Sequence, residues 1–118
     1  MTKVMIVDDN LFMRNYLTKL PAKNGYDTIT AENGEQAVHT YRQTKPDAVL
    51  MDVTMPRMDG LQALTEICQL DTRANVIMLT ALDQELAATR AIHIGAKDFL
   101  VKPIPPSQLL TALQRVLR

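Results

Sequence analysis

Short apolar runs recur along the chain every twenty to twenty-five residues or so: Val4 to Val7, Tyr26 to Thr30, Ala48 to Met51, Val76 to Leu79 and Phe99 to Val101. All but one are apolar nearly throughout, the pattern of strands covered on both faces. Tyr26-Asp27-Thr28-Ile29-Thr30 alternates instead and is expected at a sheet edge. Between the runs lie segments of helical period. Met13, Tyr16, Leu17 and Leu20 share one face, Ala37, Val38 and Tyr41 a second, and Leu61, Leu64, Ile67 and Cys68 a third. Ala87, Ala91 and Ile94 form a fourth, and Leu109, Leu113, Val116 and Leu117 a fifth. Asn10, Asn33 and Asp83 stand where N-caps are wanted, Gly25 and Gly95 follow helices, and Pro105 and Pro106 open the last one. Pro21 is expected to stop the first helix near Leu20, because its ring disfavours helical backbone there. Strand and helix alternating in this way predict an α/β fold, a (βα)5 doubly wound sheet of parallel strands with helices on both faces.

Length and charge narrow the function. At 118 residues the chain is one domain, large enough to bury a core without staples. Thirteen basic residues balance thirteen acidic ones. Seven basic and eight acidic residues precede or include Asp59, and six and five follow, so there is no charged arm, and nucleic acid held by bulk charge is not expected. Cys68 is the only cysteine, which excludes an intramolecular disulfide and a Cys-rich metal site and fits a reducing, cytoplasmic setting. No apolar run approaches the ~18 residues of a membrane span, and Asp8 comes too soon for a signal peptide.

In a doubly wound sheet, ligands bind beyond the carboxyl ends of the strands. Asp8 and Asp9 follow the first run, Asp52 the third, Thr80 and Ala81 the fourth, and Lys102 and Pro103 the fifth. Asp8, Asp9 and Asp52 carry −3 against +1 from Lys102, and this repulsion calls for a counter-ion. Oxygen ligands without His or Cys select Mg²⁺ over zinc. A carboxylate beside Mg²⁺ and a lysine is equipped to attack a phosphoryl group and hold it as an acyl phosphate. Lys102 would neutralise its oxygens, and the Thr80 hydroxyl could donate to one.

The same residues, in this order, resemble the receiver domain of two-component response regulators over essentially the whole chain, residues 1–118. The matching pieces are Val7-Asp8-Asp9, Asn33-Gly34, Pro46-Asp47, Met51-Asp52-Val53-Thr54-Met55-Pro56-Arg57-Met58-Asp59-Gly60, Thr80-Ala81, Gly95-Ala96-Lys97-Asp98-Phe99 and Lys102-Pro103. The resemblance, and not the residues, supplies the flavodoxin-like strand order 2-1-3-4-5. It implies that Asp52 is the phosphoacceptor, that Asp9 and Asp52 ligate Mg²⁺ directly with the Thr54 backbone carbonyl, and that Asp8 acts largely through water. It also implies that Thr80 and Phe99 are a switch pair, next to Ala81, in which the hydroxyl moves toward the phosphoryl group and the ring turns inward. Lys102-Pro103 resembles the family's cis peptide bond, which would help aim the lysine. Phe12-Met13-Arg14, Glu32-Asn33-Gly34, Ala37-Val38, Tyr41 and Ala96 to Phe99 resemble the CheY-type single-domain chemotaxis regulators more than receivers of transcription factors. The end at Arg118, directly after the fifth helical segment, suits a chain without an output domain and equally a receiver cut from a multidomain regulator.

The partners so implied are a sensor histidine kinase as phosphodonor and, for the chemotaxis branch, a flagellar motor switch protein and a phosphatase. The chain would be monomeric when unphosphorylated, with dimerisation on activation left open. A receiver catalyses only its own phosphorylation and dephosphorylation, and so is not an enzyme acting on other molecules. A phosphorelay intermediate is an alternative. A Mg²⁺-dependent aspartyl-phosphate phosphatase of the haloacid-dehalogenase type is a more distant one, and it would want a second Asp where Thr54 stands. A flavodoxin would want a Ser/Thr/Gly-rich phosphate loop in place of Asp8-Asp9, and neither a G-x-G-x-x-G nor a Walker motif is present. Thr54 and Leu82 are expected to flank the path of the attacking water, and because Leu82 cannot hydrogen-bond it, self-dephosphorylation should be slow. Asp59-Gly60 reads as a turn and cap, His39 and His93 as surface residues, Met5, Met51 and Met78 as core filler, and Cys68 as inert, with Met55 and Met58 open.

Overall fold

The structure is a computed structural model that describes residues 2–81 and 84–118. Its elements alternate in chain order as β1 (Lys3–Val7), α1 (Leu11–Lys23), β2 (Asp27–Ala31), α2 (Gly34–Thr44), β3 (Ala48–Asp52), α3 (Gly60–Leu70), β4 (Val76–Thr80), α4 (Glu85–Ile94), β5 (Asp98–Val101) and α5 (Pro106–Val116). The strands form one sheet in the order β2-β1-β3-β4-β5, and every pairing is parallel. The chain therefore starts near the middle, steps outward once to β2, then returns past β1 and builds β3, β4 and β5 on the other side. Reversal of direction at β1 puts helices on both faces and opens a crevice at the carboxyl ends of β1 and β3.

Alternate side chains of each central strand divide between two cores. Met5, Val7, Val49, Met51, Val76 and Met78 face α2, α3 and α4, where they meet Ala37, Tyr41, Leu64, Ile67 and Ala91. Val4, Ile6, Ala48, Leu50, Ile77 and Leu79 face α1 and α5, where they meet Leu17, Leu109 and Leu113. Full burial of each large apolar side chain contributes about 1.5–3 kcal/mol, which makes these paired interiors the main cohesive element. The three strand methionines are core filler as the sequence suggests, and Met55 joins the α2–α4 core, with Met58 packed against it. His39 and His93 are exposed.

Caps define where the helices begin. Asn10 and Asn33 accept from the N–H groups of Met13 and Gln36 at 3.0 and 2.8 Å. Asp59 makes a full capping box with Gln62. Pro105 and Pro106 lead into α5 as expected. Asp83, the expected cap of α4, lies outside the described residues, as does Leu82.

Two expectations about the elements are corrected. Helix α1 does not stop near Leu20 but continues through a buried Pro21 to Lys23. Pro21 cannot donate to the Leu17 carbonyl one turn back, but only two helical residues follow it, and the Leu20 and Pro21 carbonyls accept from the Asn24 and Tyr26 N–H groups. Strand β5, read as covered on both faces, is an edge strand in which only Leu100 is buried. Phe99 is 40% exposed. Its apolar composition belongs to one covered face and one open face, a distinction four residues are too few to show by alternation.

Candidate functional site

Each carboxylate at the crevice is placed by a strand end. Register aligns Val7 with Met51 and Asp52 with Leu79, so Asp8, Asp52 and Thr80 reach the same rim although they are far apart in sequence. Asp8 is 1% exposed and Asp52 8%, while Asp9 lies open to solvent. One oxygen from each of Asp8, Asp9 and Asp52 lies within 4.8 Å of the others. The three carboxylates are thus near enough for one hard cation to be offered oxygens from all of them. The donor set is all oxygen, which suits a hard divalent cation.

Lys102 reaches this cluster from the end of β5. Its Nζ donates to Asp8 Oδ2 and Asp52 Oδ1, each at 3.1 Å. Its own N–H donates to the Thr80 carbonyl at 2.7 Å, and the Lys102–Pro103 peptide bond is cis. Burial pulls the ammonium toward neutrality, but the two carboxylates and their hydrogen bonds outweigh it, and the Lys102 pKa is raised. Asp52 also moves up from the ordinary carboxylate value, first because burial penalises its charge, with Asp8 and Asp9 adding to the effect and Lys102 opposing it. A raised value beside a lysine at 3.1 Å means that one ammonium does not compensate the desolvation and the acidic neighbours.

The backbone beneath Asp52 is braced by groups that sequence reasoning read only as punctuation or not at all. Gly60 donates to the Val53 carbonyl at 2.7 Å, and a Cβ at Gly60 would overlap the Asp52 carbonyl oxygen. Asp59-Gly60 is thus a turn and cap, as read, and also the close approach that seats α3 beneath Asp52. Gly34 donates to the Met58 carbonyl at 3.1 Å and has no room for a side chain there, which ties the start of α2 to a loop whose Arg57 and Met58 have φ of 55° and 89°. Arg14, quoted in the sequence only for resemblance, donates to the Asp8 main-chain carbonyl at 2.8 Å and approaches Glu32 at 3.5 Å. No periodicity marks it, since it lies beside the buried stripe of α1.

At β4 the contacts are looser. The Thr80 hydroxyl is 1% exposed and meets the Leu100 carbonyl at 3.5 Å, the outer limit of a hydrogen bond. Phe99 stands outward, beside a cleft of about 370 Å³ lined by Leu100, Gln108, Thr111 and Arg115. Ala81 N–H donates to Gln84 Oε1 at 2.9 Å, and Gln84 Nε2 donates to Thr54 Oγ1 at 2.6 Å. Gln84 was missed in the sequence; its place three residues after Ala81, ahead of a helix, is half of a capping-box pattern and was the available signal. Cys68 is half-buried on α3, and burial pushes its thiol up, toward the protonated and unreactive form. No helix among the described residues is long and apolar enough to cross a membrane.

The response regulator receiver domain family model matches residues 4–114. The chemotaxis protein CheY of Bacillus subtilis is 46% identical over 98% of this chain and 97% of its own length. CheY of Thermotoga maritima is 45% identical over 97% of this chain and 96% of its own. Among solved structures, a CheX-CheY-BeF3-Mg+2 complex from Borrelia burgdorferi superposes with a TM-score of 0.94 at 38% identity, covering 99% of this chain and 90% of the other. The matched residues span β1 to α5, with the acidic cluster and the lysine at their strand ends, and this chain belongs to the response regulator receiver domain family.

Proposed function

We propose that the chain is a phosphorylation-controlled signalling switch of the chemotaxis type, in which Asp52 accepts a phosphoryl group from the phosphohistidine of a sensor kinase. The observation that carries this reading is the buried Asp52 carboxylate within 4.8 Å of Asp8 and Asp9 and 3.1 Å from Lys102 Nζ. An Asp52 oxygen attacks phosphorus as the P–N bond to the donor imidazole breaks, and the imidazole leaves. Asp9 and Asp52, with the Thr54 carbonyl and with Asp8 largely through water, would hold Mg²⁺, which when bound supplies positive charge for the phosphoryl oxygens. Lys102 exchanges its bond to Asp52 for one to a phosphoryl oxygen. The product has about one more negative charge than the free carboxylate and new acceptor oxygens at the rim. Thr80, whose present bond is weak, turns to one of them, and Phe99 moves into the space released. The face formed by α4, β5 and α5 then differs between the two forms, and a partner reads the difference. The resemblance to chemotaxis regulators implies a flagellar switch protein as that partner, a separate phosphatase for resetting and a cytoplasmic setting, and the CheY relatives support the chemotaxis branch.

The test is phosphorylation by acetyl phosphate with Mg²⁺. Wild type gains one phosphoryl group with Mg²⁺ and gains none when the metal is chelated before loading, and Asp52→Asn gains none with the metal present. Labelling of Asp52→Asn at the wild-type rate would displace the assignment.

A further inference from the structure

One amide side chain spans the seam between β3 and β4. Gln84 Oε1 accepts from Ala81 N–H, and Gln84 Nε2 donates to Thr54 Oγ1. Asp52 and Leu79 are register partners, so Thr54 and Ala81 each stand two residues beyond one member of that pair. The Gln84 amide therefore crosses the seam just past Asp52. The ladder explains why an N–H is available there. Val53 N–H donates to the Leu79 carbonyl at 3.1 Å, and in a parallel pair the following rung runs from Ala81 N–H to the Val53 carbonyl. That carbonyl already accepts from Gly60 N–H at 2.7 Å. In place of that rung, the Val53 carbonyl serves Gly60 and the Ala81 N–H donates to Gln84 Oε1.

We propose that Gln84 is a positioning residue that latches the unphosphorylated rim, and that phosphorylation opens the latch. This rests on the reading of Asp52 as phosphoacceptor. A phosphoryl oxygen on Asp52 is a charged and stronger acceptor than a neutral amide oxygen, so it takes the Ala81 N–H and displaces Gln84 Oε1. Gln84 is also the N-cap residue of α4, and its own side chain makes no cap bond to that helix. Losing Ala81 and Thr54 together unties the start of α4 from β3. The event at Asp52 is thereby passed to the helix by exchange of a single acceptor.

The latch opposes activation, so removing it favours the activated form. Beryllofluoride with Mg²⁺ is titrated into wild type, Gln84→Met, Gln84→Ala, Thr54→Val and the Thr54→Val/Gln84→Met double variant. Both Gln84 variants bind it about three- to tenfold more tightly, the scale of one or two water-exposed hydrogen bonds. The double variant gains nothing over Gln84→Met, because the two residues share one bond. In the ligand-free Gln84 variants the Ala81 amide resonance shifts away from its wild-type position, a readout that a general packing defect would not single out. Equal or weaker affinity in both Gln84 variants, or an unmoved Ala81 resonance, overturns the latch while leaving the phosphoacceptor reading intact. Failure of wild type to bind beryllofluoride, or equal binding by Asp52→Asn, overturns both.

Discussion

The rim of the sheet has two halves built to different standards. At β1 and β3, Asp8 accepts from Asn10 N–H and from Lys102, its backbone carbonyl is held by Arg14, and Gly60 and Gly34 lock the loop beyond Asp52 by contacts that leave no room for a Cβ. At β4 and β5, a 3.5 Å hydroxyl contact, one glutamine bridge and a half-open phenylalanine do the same work. The first half suits groups that must keep their places while charge changes hands. The second suits groups that must move, and elements with few buried contacts are those that open at least cost.

The comparison breaks most plainly if the rigid half is cut. Gly60→Ala forces the start of α3 off the Asp52 carbonyl, and such overpacking against backbone should cost about 3 kcal/mol by denaturant unfolding and reduce acetyl-phosphate labelling sharply. Lys102→Ala leaves Asp8 and Asp52 facing each other with no cation. Its cost without metal should be about 2 kcal/mol, below the range for a fully buried pair because the lysine side chain is 24% exposed, and Mg²⁺ should restore more stability to this variant than to wild type. Phe99→Ala, in the looser half, should cost under about 1 kcal/mol, since the ring already stands outward, whereas a buried Phe→Ala costs about 3–5.

The smallest effect comes from protons. The raised pKa of Asp52 means that the folded protein holds this proton more tightly than the unfolded chain. The stability so gained is complete below the unfolded value of 3.8 and is lost as pH rises through the folded value. In EDTA, Asp52→Asn should therefore melt above wild type at neutral pH, and the two should converge as pH falls below 3.8. A constant difference at all pH values would mean that the carboxylate is not penalised by burial.

Much of the rigid half could be read from residue patterns. Near-continuous apolar runs ending in Asp8-Asp9, Asp52 and Lys102 predict buried parallel strands with charges gathered at one rim, and burial with register delivers that arrangement. Strand order was available only through resemblance, because periodicity tells which face is buried and not which strand lies beside which. The looser half was harder to read. Phe99 looked like core because an apolar edge strand of four residues has the composition of an inner one. Pro21 looked like a stop because a proline disfavours helix at the residue before it, and the bonds that carry α1 two residues further come from Asn24, Gly25 and Tyr26, beyond the helix itself. The bonds of Gln84 to Thr54 and of Arg14 to Asp8 were invisible, since those partners lie in other elements and only the fold brings them near, whereas the bond of Gln84 to Ala81 had a local signal.

Lys102 is the last of the charged rim residues to leave the ribosome, 50 residues after Asp52 and 94 after Asp8. A nascent chain carries all three acids before it carries their ammonium, and because a domain of this size folds as a unit, the rim closes only once β5 is in place. A chain cut before β5 would therefore lose an edge strand and, with it, the ammonium that bridges Asp8 and Asp52.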